Sequence, residues 1–222
     1  MFEDFFQIAL QFTPRLLRGA LETIRITVIG VSLGFLVGTI VGVTRAYKTP
    51  VMNHISRYYV NVIRGTPLLV QIFFIFFGIP NIIQRPIAPL VAGIAAIAIN
   101  SGAYFGEIVR GSLLAIPRGQ VEAARSLGLN WLQTIRYVIG PQALLVGLPP
   151  LGNQFIISLK DTSLLAVISV EELTRNGQII IAATFRAFQI WILVAIIYLI
   201  LTSISAALLE RLEVRLSRGR AF

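Results

Sequence analysis

The chain alternates long apolar runs with short polar ones, and the runs have the length of bilayer spans. Ile26 to Thr44 carries no charge between Arg25 and Arg45, close to the roughly 20 residues that a hydrocarbon core requires. A second uncharged stretch, Gly65 to Gln84, lies between Arg64 and Arg85, with Tyr58 and Tyr59 ahead of it at interface positions. A third fills the interval from Arg85 to Glu107. Tyr137 to Leu159 is also uncharged but is broken by Pro141, Pro149 and Pro150, so a continuous helix is expected only from about Leu151 to Val170. Ala187 to Leu209 is the last apolar run. The pattern predicts an all-α membrane protein, a single domain over 1–222, with five transmembrane helices near 20–45, 56–79, 86–110, 142–170 and 187–210. Ile79 to Pro86 reads as a short loop, and Glu171 to Arg186 as an outside loop or short surface helix. No internal repeat is visible.

Two local features qualify these spans. Gly30, Gly34, Gly38 and Gly42 recur every fourth residue and form one smooth helix face. Such a face either lets another helix approach closely or reflects only the frequency of glycine in membrane helices. Pro67 loosens the second span at its start, so the freed carbonyl and the Thr66 hydroxyl must find partners.

The longest polar interruption, Arg118 to Pro141, lies in a loop over 113–141 and reads as two short helices. Pro117 suits a helix start, since a first-turn proline gives up no needed N–H. Val121, Ala124 and Gly128 then share one line of a helix, with Ala123 and Leu127 on the line beside it. Gly128 is the expected left-handed stop. Asn130 caps the next helix, with Gln133 three residues on to reach back in a capping box. A compact helix–turn–helix with small residues on one face suits another protein's surface.

Composition agrees. Only 13% of the 222 residues are charged and 56% are hydrophobic, where a soluble domain carries about a quarter charged. The net charge of +9 is not a nucleic-acid signature, because the basic residues flank apolar segments instead of forming a patch among aromatics. There is no cysteine and one histidine, His54, so neither a disulfide framework nor a metal cluster is expected. The acidic opening MFEDFFQIALQF lacks the marks of a removable signal peptide.

Charge also orients the chain. Arg45, Lys48, Arg57, Arg64, Arg110, Arg118, Arg125, Arg136 and the tail arginines 211, 215, 218 and 220 fall on one side. Arg15, Arg18, Arg25, Arg85, Lys160, Arg175 and Arg186 fall on the other, with Glu3, Asp4, Glu22, Asp161, Glu171 and Glu172. The positive-inside rule makes the first side cytoplasmic, with the N-terminus outside, the C-terminus inside and the 113–141 loop in the cytoplasm.

Candidate chemistry is sparse. No glycine-rich phosphate loop followed by Lys-Ser/Thr occurs, so the chain does not hydrolyse ATP alone. No catalytic triad or carboxylate pair can be assembled. Gln154, Ser158 and Asp161 lie on one helix side at i, i+4, i+7, beside Lys160. Ionisable groups at membrane depth normally face a cavity or partner; alternatively Lys160 and Asp161 only neutralise each other at the outer interface. Asn100 and Tyr104 share a face at i, i+4.

Glu122-Ala123-Ala124, Gly128 four residues on and Pro141 thirteen after that resemble the EAA loop of permease subunits in ABC import systems. The family's isoleucine and leucine before the proline are replaced by Val138 and Gly140. LLRGALETIRIT from Leu16 resembles the start of that family's first core helix. RGTPLLVQ from Arg64, NSGAYFGEIVRG from Asn100 and LKDTSL from Leu159 extend the likeness over most of the chain, toward the type I ABC importer permeases for polar amino acids. The resemblance implies a dimer of five-span permeases, identical or homologous, in the bacterial cytoplasmic (inner) membrane. Two ABC ATPase subunits sit below, and an extracytoplasmic substrate-binding protein delivers the amino acid. It makes Glu122, Ala123, Ala124, Arg125, Leu127 and Gly128 the coupling helix, and it implies no cofactor. A substrate site would draw on Asp161 for an ammonium or cationic side chain, on Lys160 for the carboxylate or as balance to Asp161, and on Asn100, Tyr104, Gln71, Gln154 and Ser158 as polar lining. The competing class is a self-sufficient secondary carrier or channel with Asp161 as its ion-linked group.

Overall fold

The structure, a computed structural model, describes residues 2–218, with side chains from 7 to 216. Arg220 lies outside them, as do the side chains of Glu3, Asp4 and Arg218. The described residues form helices joined by short connections, with no strand among them: α1 (Phe2–Ala46), α2 (Met52–Gly65), α3 (Leu68–Ile83), α4 (Pro89–Leu114), α5 (Arg118–Ser126), α6 (Trp131–Thr134), α7 (Gly140–Asp161), α8 (Leu173–Thr184) and α9 (Ala187–Arg218). A 3-10 turn, Thr162–Ile168, follows α7. By length and composition α1, α4 and α9 can each cross a membrane, and α2 with α3 makes a fourth when the pair is taken as one broken span. Apolar side chains such as Leu21 (68% exposed), Leu36 (63%) and Leu199 (65%) point outward, which is stable only where hydrocarbon replaces water.

Three expectations need correcting, and proline is the reason in each. The segment from Ile79 is not a loop: α3 runs through Pro80 to Ile83 and stops at Gln84 in the left-handed region. The helix is not confined to Leu151 onward, because α7 starts at Gly140 and carries Pro149 and Pro150 inside it. The second short helix of the polar interruption, α6, has only one turn and runs on through a π-turn into α7. The same device accommodates two of the prolines. A π-turn, Phe74–Gly78, ends two residues before Pro80, and another, Ile135–Ile139, ends two residues before Pro141. A π-turn shifts the bonding register by one residue, so the N–H that proline lacks is skipped within a continuing helix. In each case the next N–H, of Ile79 or Gly140, reaches back to the carbonyl of Phe74 or Ile135. Pro149 and Pro150 have no such turn before them and deprive the Leu145 and Val146 carbonyls of their helical donors.

The chain forms two compact units. The first comprises 1–32, 66–98 and 155–205. Its core joins Leu16 and Ala20 of α1 to Leu173 and Ile180 of α8 and Ile190 of α9. Gly19 allows the close approach: a Cβ there would lie 2.9 Å from the Leu173 Cα. Glu171 to Arg186 is therefore α8 and its flanks, and α8 is packed into this unit's core. At Pro67 the Gln71 amide nitrogen donates at 3.1 Å to both the carbonyl and the hydroxyl of Thr66, which supplies the partners the break requires.

The second unit comprises 33–65, 99–154 and 206–222. Here the glycine stripe of α1 meets Gly102 and Gly106 of α4. A Cβ on Gly38 would fall 2.5 Å from Phe105 Cβ and 2.8 Å from the Gly102 carbonyl oxygen. Close approach is the meaning of the stripe. Val60 of α2 packs with Val41 and Ala103, and the Tyr59 hydroxyl donates to the carbonyl of Ile99.

Candidate functional site

The polar interruption folds as its residues dictate. α5 begins after Pro117, and Gly128 takes φ +82°. Asn130 Oδ1 accepts the Gln133 N–H at 2.9 Å, while Gln133 Oε1 accepts the Asn130 N–H at 2.8 Å. Arg125 donates to the Leu129 carbonyl at 2.8 Å and closes the turn. The elbow is anchored on one side only: Ala124 is buried, and Trp131 stacks edge-on to Tyr47 at 5.5 Å. Glu122, Ala123 and Arg125 are exposed. Leu127 (83% exposed) and Leu132 (75%) project as apolar knobs. The capped elbow thus exposes two leucines beside a carboxylate and a guanidinium.

The residues expected to line a substrate site divide between the units. In the first unit, Ser158 is buried, Asp161 is half-buried at the end of α7, and Lys160 is exposed. Gln71 is buried, but its amide nitrogen is committed to Thr66. In the second, Asn100 and Gln154 are buried, and the Tyr104 ring lies 5.2 Å below the Arg64 guanidinium.

Two clusters escaped sequence reasoning. In the second unit Glu107 is ringed by Arg45, Arg64 at 3.8 Å and Arg110 at 3.0 Å. Only the i, i+3 pair with Arg110 was readable, since Arg45 and Arg64 come from other helices. In the first unit a cleft of about 860 Å³ is lined by Arg15, Arg18, Glu22, Arg25, Glu171 and Asn176. Arg15 donates to Asn176 Oδ1 at 3.1 Å. Beside it Glu172, fully buried, caps α8: its carboxylate accepts the N–H of Thr174 at 2.9 Å, the N–H of Arg175 at 2.7 Å and the Tyr198 hydroxyl at 2.9 Å. Glutamate is not a favoured cap, so no sequence signal marked it.

Burial pushes the Glu172 carboxyl above its ordinary value of 4.5, against the hydrogen bonds that pull it down. The folded chain therefore holds this proton more tightly than the unfolded one. Its contribution to stability is full below pH 4.5 and is lost as pH rises through the folded value. Glu172→Gln should flatten that acid-side decline in Tm. It should also lower Tm at acid pH, because the new amide N–H₂ opposes a backbone N–H, a lost cap worth about 1–2 kcal/mol. Thermal scans of the detergent-solubilised protein over the acid range check both; an unchanged slope would remove Glu172 as the titrating group.

Residues 30–218 match the family described as binding-protein-dependent transport system inner membrane component. The glutamine transport system permease protein of Escherichia coli strain K12 is 49% identical over 204 residues, covering 91% of this chain and 93% of that protein. A probable glutamine ABC transporter permease protein of Bacillus subtilis strain 168 is 41% identical over 201 residues, 89% of this chain and 91% of the relative. A solved structure described as an amino acid ABC transporter with histidines superposes with TM-score 0.88 at 38% identity, over 95% of this chain and 98% of that one. The chain therefore belongs to the binding-protein-dependent inner membrane components, as a multi-pass permease subunit of an ATP-driven amino-acid importer in the cytoplasmic membrane, and is not an enzyme.

Proposed function

We propose that the cargo is glutamine or a closely similar polar amino acid. The observation carrying this reading is the 49% identity, over 91% of the chain, to a glutamine transport system permease protein. On this reading the broken span of α2 and α3 and the proline-bearing α7 serve as the second and fourth of five spans, with α5 and α6 on the cytoplasmic side. Two ATPase subunits dock on the elbow, a second permease copy or relative completes the path, and a binding protein delivers cargo from outside. ATP binding closes the ATPases, and the α5 elbow transmits the motion into the spans, exchanging an inward- for an outward-facing cavity.

Asp161 receives the substrate ammonium, a charge best held by a carboxylate away from water. This also covers the cationic cargo that Asp161 suggests by itself. Lys160, being exposed, serves as balance, and Ser158 adds polar lining in the same unit; Asn100, Tyr104 and Gln154 serve as polar groups of the second unit by themselves. Gln71 contributes mainly by holding the Pro67 break.

Proteoliposomes holding the chain with its ATPase and second permease, supplied with binding protein, should take up labelled glutamine only with internal ATP. Asp161→Asn should lower that uptake about ten-fold or more, the worth of a charge-assisted hydrogen bond, and leave ATPase co-purification unchanged. Undiminished uptake removes Asp161 from the site. Gradient-driven flux through the chain alone, without ATPase, would replace the whole reading with a secondary carrier.

A further inference from the structure

We infer that α2, the arm of the broken second span ahead of Pro67, lies along the membrane boundary while α3 crosses, and that its arginine cluster holds the phosphate of an anionic phospholipid. The helix has three faces. One is inward, with Ser56 and Val60 buried. A second carries His54, Arg57, Asn61 and Arg64, all exposed and spaced i, i+3, i+7, i+10. The third carries Ile55 (57% exposed), Tyr58 (74%) and Val62 (40%), spaced i, i+3, i+7. An exposed apolar strip beside an exposed basic one is satisfied neither by water nor by hydrocarbon alone. It is satisfied at the boundary between them.

The charge balance beside α2 specifies the lipid. Arg45, Arg64 and Arg110 converge on Glu107, one carboxylate for three guanidiniums. Arg57 adds its field at Arg45. The Tyr104 ring holds the Arg64 guanidinium, whose side chain is 44% exposed. Such a surplus next to low-dielectric surroundings is relieved by an anion. A phosphodiester with acyl chains fits both strips at once, the phosphate on Arg57 and Arg64 and the chains along Ile55, Tyr58 and Val62. Basic pockets among helices on the cytoplasmic side are where anionic headgroups bind. The inference rests on the membrane reading and not on the identity of the cargo.

The test is native mass spectrometry of the full chain, purified in mild detergent and offered equal phosphatidylglycerol and phosphatidylcholine. The wild-type chain should retain phosphatidylglycerol preferentially, and each arginine removed in Arg57→Gln and Arg57→Gln/Arg64→Gln should weaken retention about five-fold. Arg211→Gln/Arg215→Gln, in the tail, should leave it unchanged. Arg57 is exposed, so the single variant carries the test if the double variant does not fold. Equal retention of both lipids, displacement by inorganic phosphate alone, or equal loss in the tail variant would each overturn the site. So would an unchanged lipid preference in Arg57→Gln accompanied by weaker ATPase co-purification, which would assign the strip to a protein partner.

Discussion

Gly38→Leu will leave little folded chain in the membrane. At this position α1 and α4 touch through backbone: an added Cβ meets Phe105 Cβ at 2.5 Å, the Gly102 carbonyl at 2.8 Å and the Gly106 nitrogen at 3.0 Å. None of these atoms belongs to the far end of a flexible side chain, so relief requires moving a whole helix. Even alanine should cost about 1–3 kcal/mol as overpacking, and leucine several times that. Total stability is typically only about 5–15 kcal/mol. Gly111 is the control in the same helix as the partner glycines, with nothing within 4 Å of its Cβ position. Gly111→Ala should be silent or slightly stabilising. Fluorescence-detected size-exclusion of tagged variants after graded heating separates the two outcomes. Wild-type yield and Tm for Gly38→Leu would mean the two helices do not cross as described.

The second large effect concerns transport with folding intact. Glu122→Lys reverses an exposed charge on the elbow, and Gly128→Val forces a β-branched residue to φ +82°. Nothing lies within 4 Å of the position a Cβ at Gly128 would take, so the valine penalty is conformational and stays in the turn. Both variants should insert normally. ATP-driven uptake should fall about thirty-fold or more, the loss expected when a charge at a desolvated interface loses its partner. ATPase co-purification should weaken in parallel. Normal uptake in both would take the docking role away from α5.

The elbow was legible because each of its signals is local. A proline start, a glycine needing positive φ and an Asn–Gln capping box act within one or two turns, where sequence neighbours are spatial neighbours. The proline-broken stretches were misread for the complementary reason. A proline rule counts the missing N–H against an α register, and the π-turns before Pro80 and Pro141 move the register instead. Sequence also flagged that the Pro67 break needs hydrogen-bond partners, and it is Gln71 that supplies them. That makes Gln71 a structural residue before it is a site residue.

The amino-acid sequence by itself determined that this chain belongs in a bilayer, that it carries no ATPase chemistry, and that an exposed elbow interrupts its spans. These properties arise from composition, run length and turn chemistry, all of which act over short separations. Only the tertiary structure decided that the glycine stripe faces Gly102 and Gly106, that Glu107 answers three arginines, and that Glu172 is a buried cap held by Tyr198. Each of those joins residues from different helices, and a contact of that kind exists only after the helices have packed.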